Sequence, residues 1–426
     1  MVPSITPLLR PEGRALLDSL PTYDSERVLS LTNRLRAEGY SPELVSLALT
    51  QSRLRMKAAG KFGIFAQSMF FTPAGLEQST RLDVGAHHAA RLRRAGATHV
   101  VDLGCGIGAD SLAMAGLGLR VTAIEEDAET AAAAQANLTA FPEAQVITGD
   151  GLDIELERLG ADALWLDPAR RDATGRRLKD PEQWSPRLST AYEIAAAFPA
   201  AGIKVAPGIS HGLCPSASHV QWISQGSDLL EAVIWMGEAA FAPGRSALIL
   251  RDGRAYDFDS GAATADAPVE PLPAAELAEF LYEPDPAIIR SGAIARLCTE
   301  YGLAPVSHNI AYLTNAQSSQ APAPSPPDPQ ILGSQAEKAA TPEPPPAPYA
   351  ARFRVLEVLP LEVKAIRKAL SRKGISRLEI KKRGTDVDPE QLRRKLGLRK
   401  AAEGGDAVLI LTPLMGRHRA VVAERA

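Results

Sequence analysis

Apolar positions recur at helical spacing from Leu16 to about Ala59. Val28, Leu31 and Leu35 share one candidate face, while Leu44, Leu47, Leu49 and Leu54 lie on a second segment opened by Ser41-Pro42-Glu43. The pattern predicts a helical domain over residues 1–70. An aromatic-rich connection then runs from Lys61 through Phe70-Phe71-Thr72-Pro73 to Arg81 and reads either as core seal or as the floor of a base or adenine pocket. Beyond it the period changes. Short β-branched runs end at Leu103, Glu125, Thr148 and Leu166 and alternate with helical stretches at Ser111–Ala115 and Ala128–Thr139. A helix at Pro186–Ala197 and a strand at Gly202–Ala206 follow, then β-rich runs at Val220–Ile223, Ala232–Met236 and Ser246–Arg251. Alternation early and hairpin-like pairing late predict an α/β Rossmann-like sheet of about seven strands over residues 71–257.

The last third reads differently. Tyr282–Pro286 opens a predicted helix, Ala287–Tyr301, and Asn309–Leu313 a strand, which together make residues 258–314 a connecting segment. Residues 315–348 are dominated by Pro, Ala, Ser and Gln; such a stretch buries too little apolar surface to order itself and is expected to be a flexible insertion. From 349 to 426 the pattern is βαβαββ: Phe353–Leu359, a helix to Lys373, Arg377–Lys381, a helix Pro389–Leu396, Ala407–Leu411 and Arg419–Val422.

Composition narrows the class. A chain of 426 residues, 45% hydrophobic, with a net charge of -3 and a pI near 6.2 has material for two or three domains and no overall basic excess. Any nucleic-acid footprint is therefore local. The three cysteines, Cys105, Cys214 and Cys298, form no C-x-x-C pair, so neither a metal site nor a disulfide framework is expected. With no signal-peptide pattern and no membrane-length apolar run, a cytoplasmic protein without a membrane partner is expected.

The chemistry concentrates at Val100-Val101-Asp102-Leu103-Gly104-Cys105-Gly106-Ile107-Gly108-Ala109-Asp110. Strand, glycine turn and helix start bring free N–H groups and a positive dipole end to a close-approaching ligand. The loop alone fits either NAD or S-adenosylmethionine, since Gly104, Gly106 and Ala109 also satisfy G-x-G-x-x-G/A. Four successive strand ends carry an acid: Asp102, Glu125 (with Asp127 as rival), Asp150 and Asp167. In an open parallel sheet those ends share one crevice. A dehydrogenase would repeat a second βαβ half, and the late hairpin-like pairs depart from that.

Asp102-Leu103-Gly104-Cys105-Gly106-Ile107-Gly108, Glu125, Gly149-Asp150 and Asp167-Pro168-Ala169-Arg170 together resemble the four motifs of class I S-adenosylmethionine-dependent methyltransferases. That resemblance implies that Asp102, Gly104, Gly106 and Gly108 hold the methionine part of S-adenosylmethionine, Glu125 its ribose and Asp150 its adenine amine. The fourth motif is similar both to the D/N-P-P-x of amino-group methyltransferases, with Ala169 for the second proline, and to the D-P-A-R of ribosomal-RNA uridine C5 methyltransferases. C5 chemistry requires a cysteine after the fifth strand. Lys204-Val205-Ala206-Pro207-Gly208 has none, and Cys214 beside Pro215 reads as an incidental thiol. An exocyclic amine needs only an oriented N–H, which Asp167 and the Pro168 carbonyl can supply, with Arg170 and Arg171 at the rim for a phosphate or a neighbouring carboxylate.

The helical N-terminus, Phe71-Thr72-Pro73-Ala74-Gly75-Leu76-Glu77-Gln78 and Lys204–Gly208 resemble bacterial methyltransferases ending in a THUMP-like domain and, more distantly, cap guanine-N2 methyltransferases. The aromatic Pro-Pro-Trp of the cap enzymes is missing. The chain from Ala350 onward holds nineteen Lys and Arg against nine Asp and Glu, about +10, while the rest carries about -13. Lys381-Lys382-Arg383, Arg393-Arg394-Lys395 and Arg399-Lys400 are its candidate RNA contacts. The resemblance to THUMP domains implies that this module docks RNA, tRNA or rRNA, by shape and phosphate. The expectation is an enzyme that methylates a base amine of RNA. The alternatives are a methyltransferase for a small molecule or protein, and an RNA-binding protein that keeps the crevice as a relic.

Overall fold

The computed structural model of the chain describes residues 4–172, 174–316, 345, 347–398 and 404–426. Most of the stretch expected to be a flexible insertion, and the Arg399-Lys400 pair, lie outside the described residues. By compactness the chain divides into two units. One comprises residues 1–206, 217–219 and 233–243; the other comprises 207–216, 220–232 and 244–426.

The helical N-terminus consists of α1 (Thr6–Leu9), α2 (Pro11–Ser19), α3 (Val28–Ala37) and α4 (Pro42–Phe62). Helix α4 starts where its cap demands. Ser41 Oγ accepts from the Leu44 N–H at 3.2 Å, Pro42 sets the first turn and Glu43 faces the positive dipole end. Two further helices follow, α5 (Pro73–Gln78), capped by Thr72, and α6 (Leu82–Arg94).

A βα alternation comes next: β1 (His99–Leu103), α7 (Ala109–Gly116), β2 (Arg120–Glu125), α8 (Ala128–Asn137), β3 (Ala144–Thr148), β4 (Ala163–Leu166), α9 (Leu188–Ala196) and β5 (Ala200–Val205). The strands β6 (His219–Gln225), β7 (Asp228–Gly237), β8 (Gly244–Arg251) and β9 (Arg254–Asp259) complete a sheet of order β3-β2-β1-β4-β5-β7-β6-β8-β9. The pairs β1/β2, β1/β4, β2/β3 and β4/β5 are parallel, whereas β8/β9 is antiparallel. The sheet thus has nine strands, two more than the periodicity predicts. Every residue of β1, β4 and β5 is buried, as helices on both faces of a parallel sheet require.

The second half of the chain adds β10 (Phe280–Pro284), α10 (Pro286–Arg290), α11 (Ile294–Tyr301), β11 (Leu303–Pro305), β12 (Leu313–Asn315), β13 (Ala350–Pro360), α12 (Val363–Arg372), β14 (Ile375–Lys382), α13 (Pro389–Leu396), β15 (Gly405–Leu414) and β16 (Arg417–Arg425). Their seven strands run β11-β12-β10-β13-β16-β15-β14. Leu409 and Leu411 of β15 join Ile366 and Leu370 of α12 and Leu392 and Leu396 of α13 in one core, while Val408 and Ile410 join Tyr312 and Phe353 in another. The two-residue alternation therefore buries both faces of that strand.

Three expectations need correction. The helix expected at Ala287–Tyr301 is broken at Gly292, whose φ of 76° ends α10, and Tyr282 lies in β10 instead of at a helix start. The strand expected at Asn309–Leu313 begins only at Leu313, because Asn309 has a φ of 58°, incompatible with extended backbone. Strand β9 escaped sequence reading: Arg254-Ala255-Tyr256-Asp257-Phe258-Asp259 is polar and mostly exposed, the signature of an edge.

Candidate active site

The glycine loop closes β1. Gly104, Gly106 and Gly108 have φ of 81°, 58° and 79°, a conformation in which other residues are strained, and Gly108 is the N-terminal cap of α7. A Cβ at Gly104 would lie 3.0 Å from the Asp167 carbonyl oxygen, so the loop runs against the chain leaving β4. Glu125, at the end of β2, accepts from the Gly106 N–H and the Asp127 N–H, both at 2.9 Å. Burial outweighs these bonds and holds the carboxyl above its ordinary pKa. Its rival Asp127 caps α8, accepting from the Thr130 N–H at 2.8 Å and hydroxyl at 2.7 Å. Asp150 is exposed after β3 and accepts from the Leu152 N–H at 2.9 Å.

The loop is braced from behind by the aromatic connection. The Asn137 side chain donates to the carbonyls of Ile107 at 2.9 Å and Phe70 at 3.0 Å and accepts from the Phe70 N–H at 2.7 Å. Gly75 of α5 abuts Ile107, where a Cβ would stand 2.4 Å from Cγ2. Lys61 of α4 donates to the carbonyls of Leu76, Glu77 and Ser79 at 2.7–2.9 Å, closing the C-terminus of α5. Burial first, then the like charges of Lys204 and Arg81, bring its ammonium down to about 8, with Glu77 opposing.

Beside the loop lies a buried polar chain. Ser111 donates to Asp102 Oδ2 at 2.5 Å, and burial, reinforced by Asp110, pushes the Asp102 carboxyl up to about 8. Thr80 donates to Asp110 Oδ2 at 2.6 Å, and His88 Nδ1 meets Asp110 Oδ1 at 2.8 Å. Burial alone would raise Asp110, but the bond and charge of His88, with Lys204 and Thr80, carry it below the usual carboxylate value. Lys204 lies 2.5 Å from Asp167 Oδ2 and donates to Thr80 Oγ1 at 2.9 Å. Asp167 is raised, first by burial, with Lys204 and Arg170 opposing.

The four strand-end acids are brought to one edge. Their strands are parallel neighbours in the order β3-β2-β1-β4; the Asp167 N–H donates to the Leu103 carbonyl at 3.2 Å, and the Gly149 N–H to the Glu125 carbonyl at 2.9 Å. Pro168 is buried, and Ala169 is locked to Ser185 by reciprocal backbone bonds of 2.7 and 3.0 Å. Arg170 lies close enough to lower Asp167, and Arg171 pairs with Glu77 at 2.7 Å. Sequence reading missed Thr80, His88, Asp110, Ser111 and the role of Lys204. A lone lysine inside the apolar run Ala200–Val205 was the available signal. Cys214 is buried, its thiol pushed up to about 12 by that burial, so it is no ready nucleophile.

In the C-terminal module the basic triplet divides. Lys381 pairs with Glu283 at 2.7 Å and Glu379 at 3.5 Å, and Arg383 lies 3.8 Å from Glu283 and over the Tyr312 ring, whereas Lys382 is exposed. Arg393 donates to the Leu378 carbonyl at 2.6 Å, and Arg394 and Lys395 are exposed on α13. Among the described residues no cluster of His, Cys, Asp or Glu could hold a metal, and no helix is long and apolar enough to cross a membrane.

Residues 350–425 match the model of the family described as THUMP domain-like, and residues 2–58 match a domain family of unknown function. Two Mycobacterium tuberculosis proteins, of strains CDC 1551 and H37Rv, are described as uncharacterized S-adenosylmethionine-dependent methyltransferases. Each is 29% identical over 377 residues, spanning 86% of this chain and 92% of its own. The crystal structure of a candidate methyltransferase from Porphyromonas gingivalis W83 superposes with a TM-score of 0.67 at 20% identity, covering 95% of this chain and 99% of that one. The glycine loop and strand-end acids thus sit in a chain that is similar over most of its length to S-adenosylmethionine-dependent methyltransferases, shares the fold of a methyltransferase structure and carries a THUMP-like domain at residues 350–425.

Proposed function

We propose that this protein methylates an exocyclic amine of a base in RNA, with tRNA and rRNA as the substrate class. The observation that carries the reading is the Asp167 carboxylate, held by a buried lysine at the carboxyl end of β4, in a residue whose backbone carbonyl abuts Gly104 of the glycine loop. The loop residues fit the cofactor: three left-handed glycines leave backbone room, and Glu125 and Asp150 offer acceptors for hydroxyl and amine groups. Asp102, Gly104, Gly106 and Gly108 would hold the methionine part.

S-adenosylmethionine supplies, when bound, a methyl group activated by a sulfonium. The amine must present its lone pair, and an acceptor for its N–H sets that orientation. We assign this role to Asp167, with the Pro168 carbonyl as a second acceptor. Asp167 also receives the proton that the nitrogen sheds once the N–C bond forms. Arg170 and Arg171 would meet a substrate phosphate, Arg171 by exchanging its pair with Glu77. Lys382, Arg394, Lys395 and Arg393 of the THUMP-like module would contact RNA phosphates, with Lys381 and Arg383 contributing after release from Glu283.

Comparison of nucleosides in RNA from cells with and without the protein tests the reading: an N-methylated base must disappear with it, and an unchanged nucleoside profile overturns it. A second reading, methylation of a small molecule or protein, draws on the neutralisation of Lys381 and Arg383 by Glu283. Binding of bulk RNA that is indifferent to salt would favour it.

A further inference from the structure

We propose that Lys204 is the positioning residue of this site, holding Asp167 as an oriented carboxylate, and that Thr80, Asp110 and His88 in turn hold Lys204. The inference rests on the reading that Asp167 accepts an amine N–H. Lys204 lies in a strand whose every residue is buried, where an ammonium is expensive unless it is paired and hydrogen-bonded. Its Nζ satisfies both conditions, meeting Asp167 Oδ2 at 2.5 Å and Thr80 Oγ1 at 2.9 Å.

The donor order is directional. Because the Thr80 hydroxyl accepts from Lys204, its own proton points to Asp110 Oδ2, 2.6 Å away. The other Asp110 oxygen faces His88 Nδ1 at 2.8 Å, and the His88 ring stacks on Trp165, two residues before Asp167, with centroids 4.3 Å apart. The chain of contacts leaves Asp167 and returns beside it, so the ammonium is held by Asp167 and Thr80, and Thr80 is held in turn by Asp110 of α7.

Charges face Asp167 from each packed element: Asp102 from β1, Asp110 from α7, Lys204 from β5 and Arg170 from its own loop, while Lys61 of α4 faces Lys204. Burial first, with the Asp110 charge, drives Asp167 toward its neutral form. Lys204, in contact, is the main counterweight. A neutral carboxyl would present a proton to the amine where an acceptor is needed.

The test reads Asp167 directly. In protein labelled with 13C at aspartate Cγ, the Asp167 signal is assigned by its loss in Asp167→Asn, and its titration midpoint is followed by NMR. Lys204→Met should raise the midpoint by about 1–3 units. Thr80→Val, which leaves the ammonium but removes its tether, should raise it less, and it serves if the lysine variant fails to fold. A midpoint unmoved in the folded variants overturns the inference. In parallel, methyl transfer to bulk RNA from cells lacking the protein should fall for Lys204→Met near pH 7 and recover about tenfold or more near pH 9. Activity lost equally at all pH values overturns the positioning role. If Asp167→Asn keeps full transfer, the reading of Asp167 fails and this inference with it. If Asp167→Asn is inactive while Lys204→Met leaves midpoint and pH profile unchanged, only the inference fails.

Discussion

Replacing Gly75 by alanine sets two physical rules against each other. On helix propensity alone, alanine in place of glycine stabilises by about 1 kcal/mol. The packing demands the opposite sign. The new Cβ would lie 2.4 Å from Ile107 Cγ2 and 2.7 Å from Thr72 Oγ1. Ile107 is β-branched and stiff, sits between two glycines of the loop and is bonded through its carbonyl to Asn137, so it gives way only by moving the loop. Overpacking costs about 1–3 kcal/mol, and disturbing the Thr72 cap on the Gly75 N–H, 3.0 Å long, costs about 1 kcal/mol. Against the propensity gain the net loss is about 1–3 kcal/mol. At about 2–4 °C per kcal/mol for a unit of this size, melting falls by about 2–12 °C. Differential scanning calorimetry reads the shift, and titration with S-adenosylhomocysteine should show affinity falling about tenfold, equivalent to about 1.4 kcal/mol. A variant that melts at or above the wild-type temperature and binds as tightly would refute the claim that α5 braces the glycine loop.

Other consequences follow from the same geometry. Glu125→Ala removes the acceptor for two loop N–H groups as well as the proposed ribose contact, and S-adenosylhomocysteine affinity should fall at least tenfold by calorimetry. Asp102 gives a pH signature: its folded value near 8 lies above the unfolded value of about 3.9, so the folded state holds an extra proton between them. Stability should therefore fall as pH rises through that window, by up to about 1.4 kcal/mol per pH unit, and level off above about 8. Urea unfolding from pH 5 to 9 should show that slope, and Asp102→Asn should flatten it. In the C-terminal module, charge reversal at exposed Arg394 or Lys395 should reduce the salt slope of bulk RNA binding by about 1 each. Reversal at Lys381, already paired with Glu283, should change it less.

The strands that carry the strand-end acids were legible because each is a short apolar run ending in a polar turn, and parallel pairing forces such ends to one edge. The terminal βαβαββ pattern was legible too, since the continuous apolar run of β15 and capping by Asp388 at α13 are local signals. The Thr80–Asp110–His88–Lys204 chain was not. Its bonded pairs are separated by 22 to 124 positions, and only tertiary packing brings them into contact. Paired cations mislead in the same way: Lys381, Lys382 and Arg383 look like one patch, yet neighbours in a strand alternate faces, and Glu283, about a hundred residues earlier, takes two of them. The kink at Gly292 and the turn at Asn309 were hidden because a single left-handed residue overrides the periodicity around it.

Methyl transfer by the purified chain measures the proposed activity most directly. Incubation with methyl-labelled S-adenosylmethionine and RNA from cells lacking the protein, followed by nucleoside mass spectrometry, should find the label on a base nitrogen with the wild type and none with Asp167→Asn. Label on a ribose oxygen or a pyrimidine carbon, or equal transfer by the Asp167 variant, would contradict it.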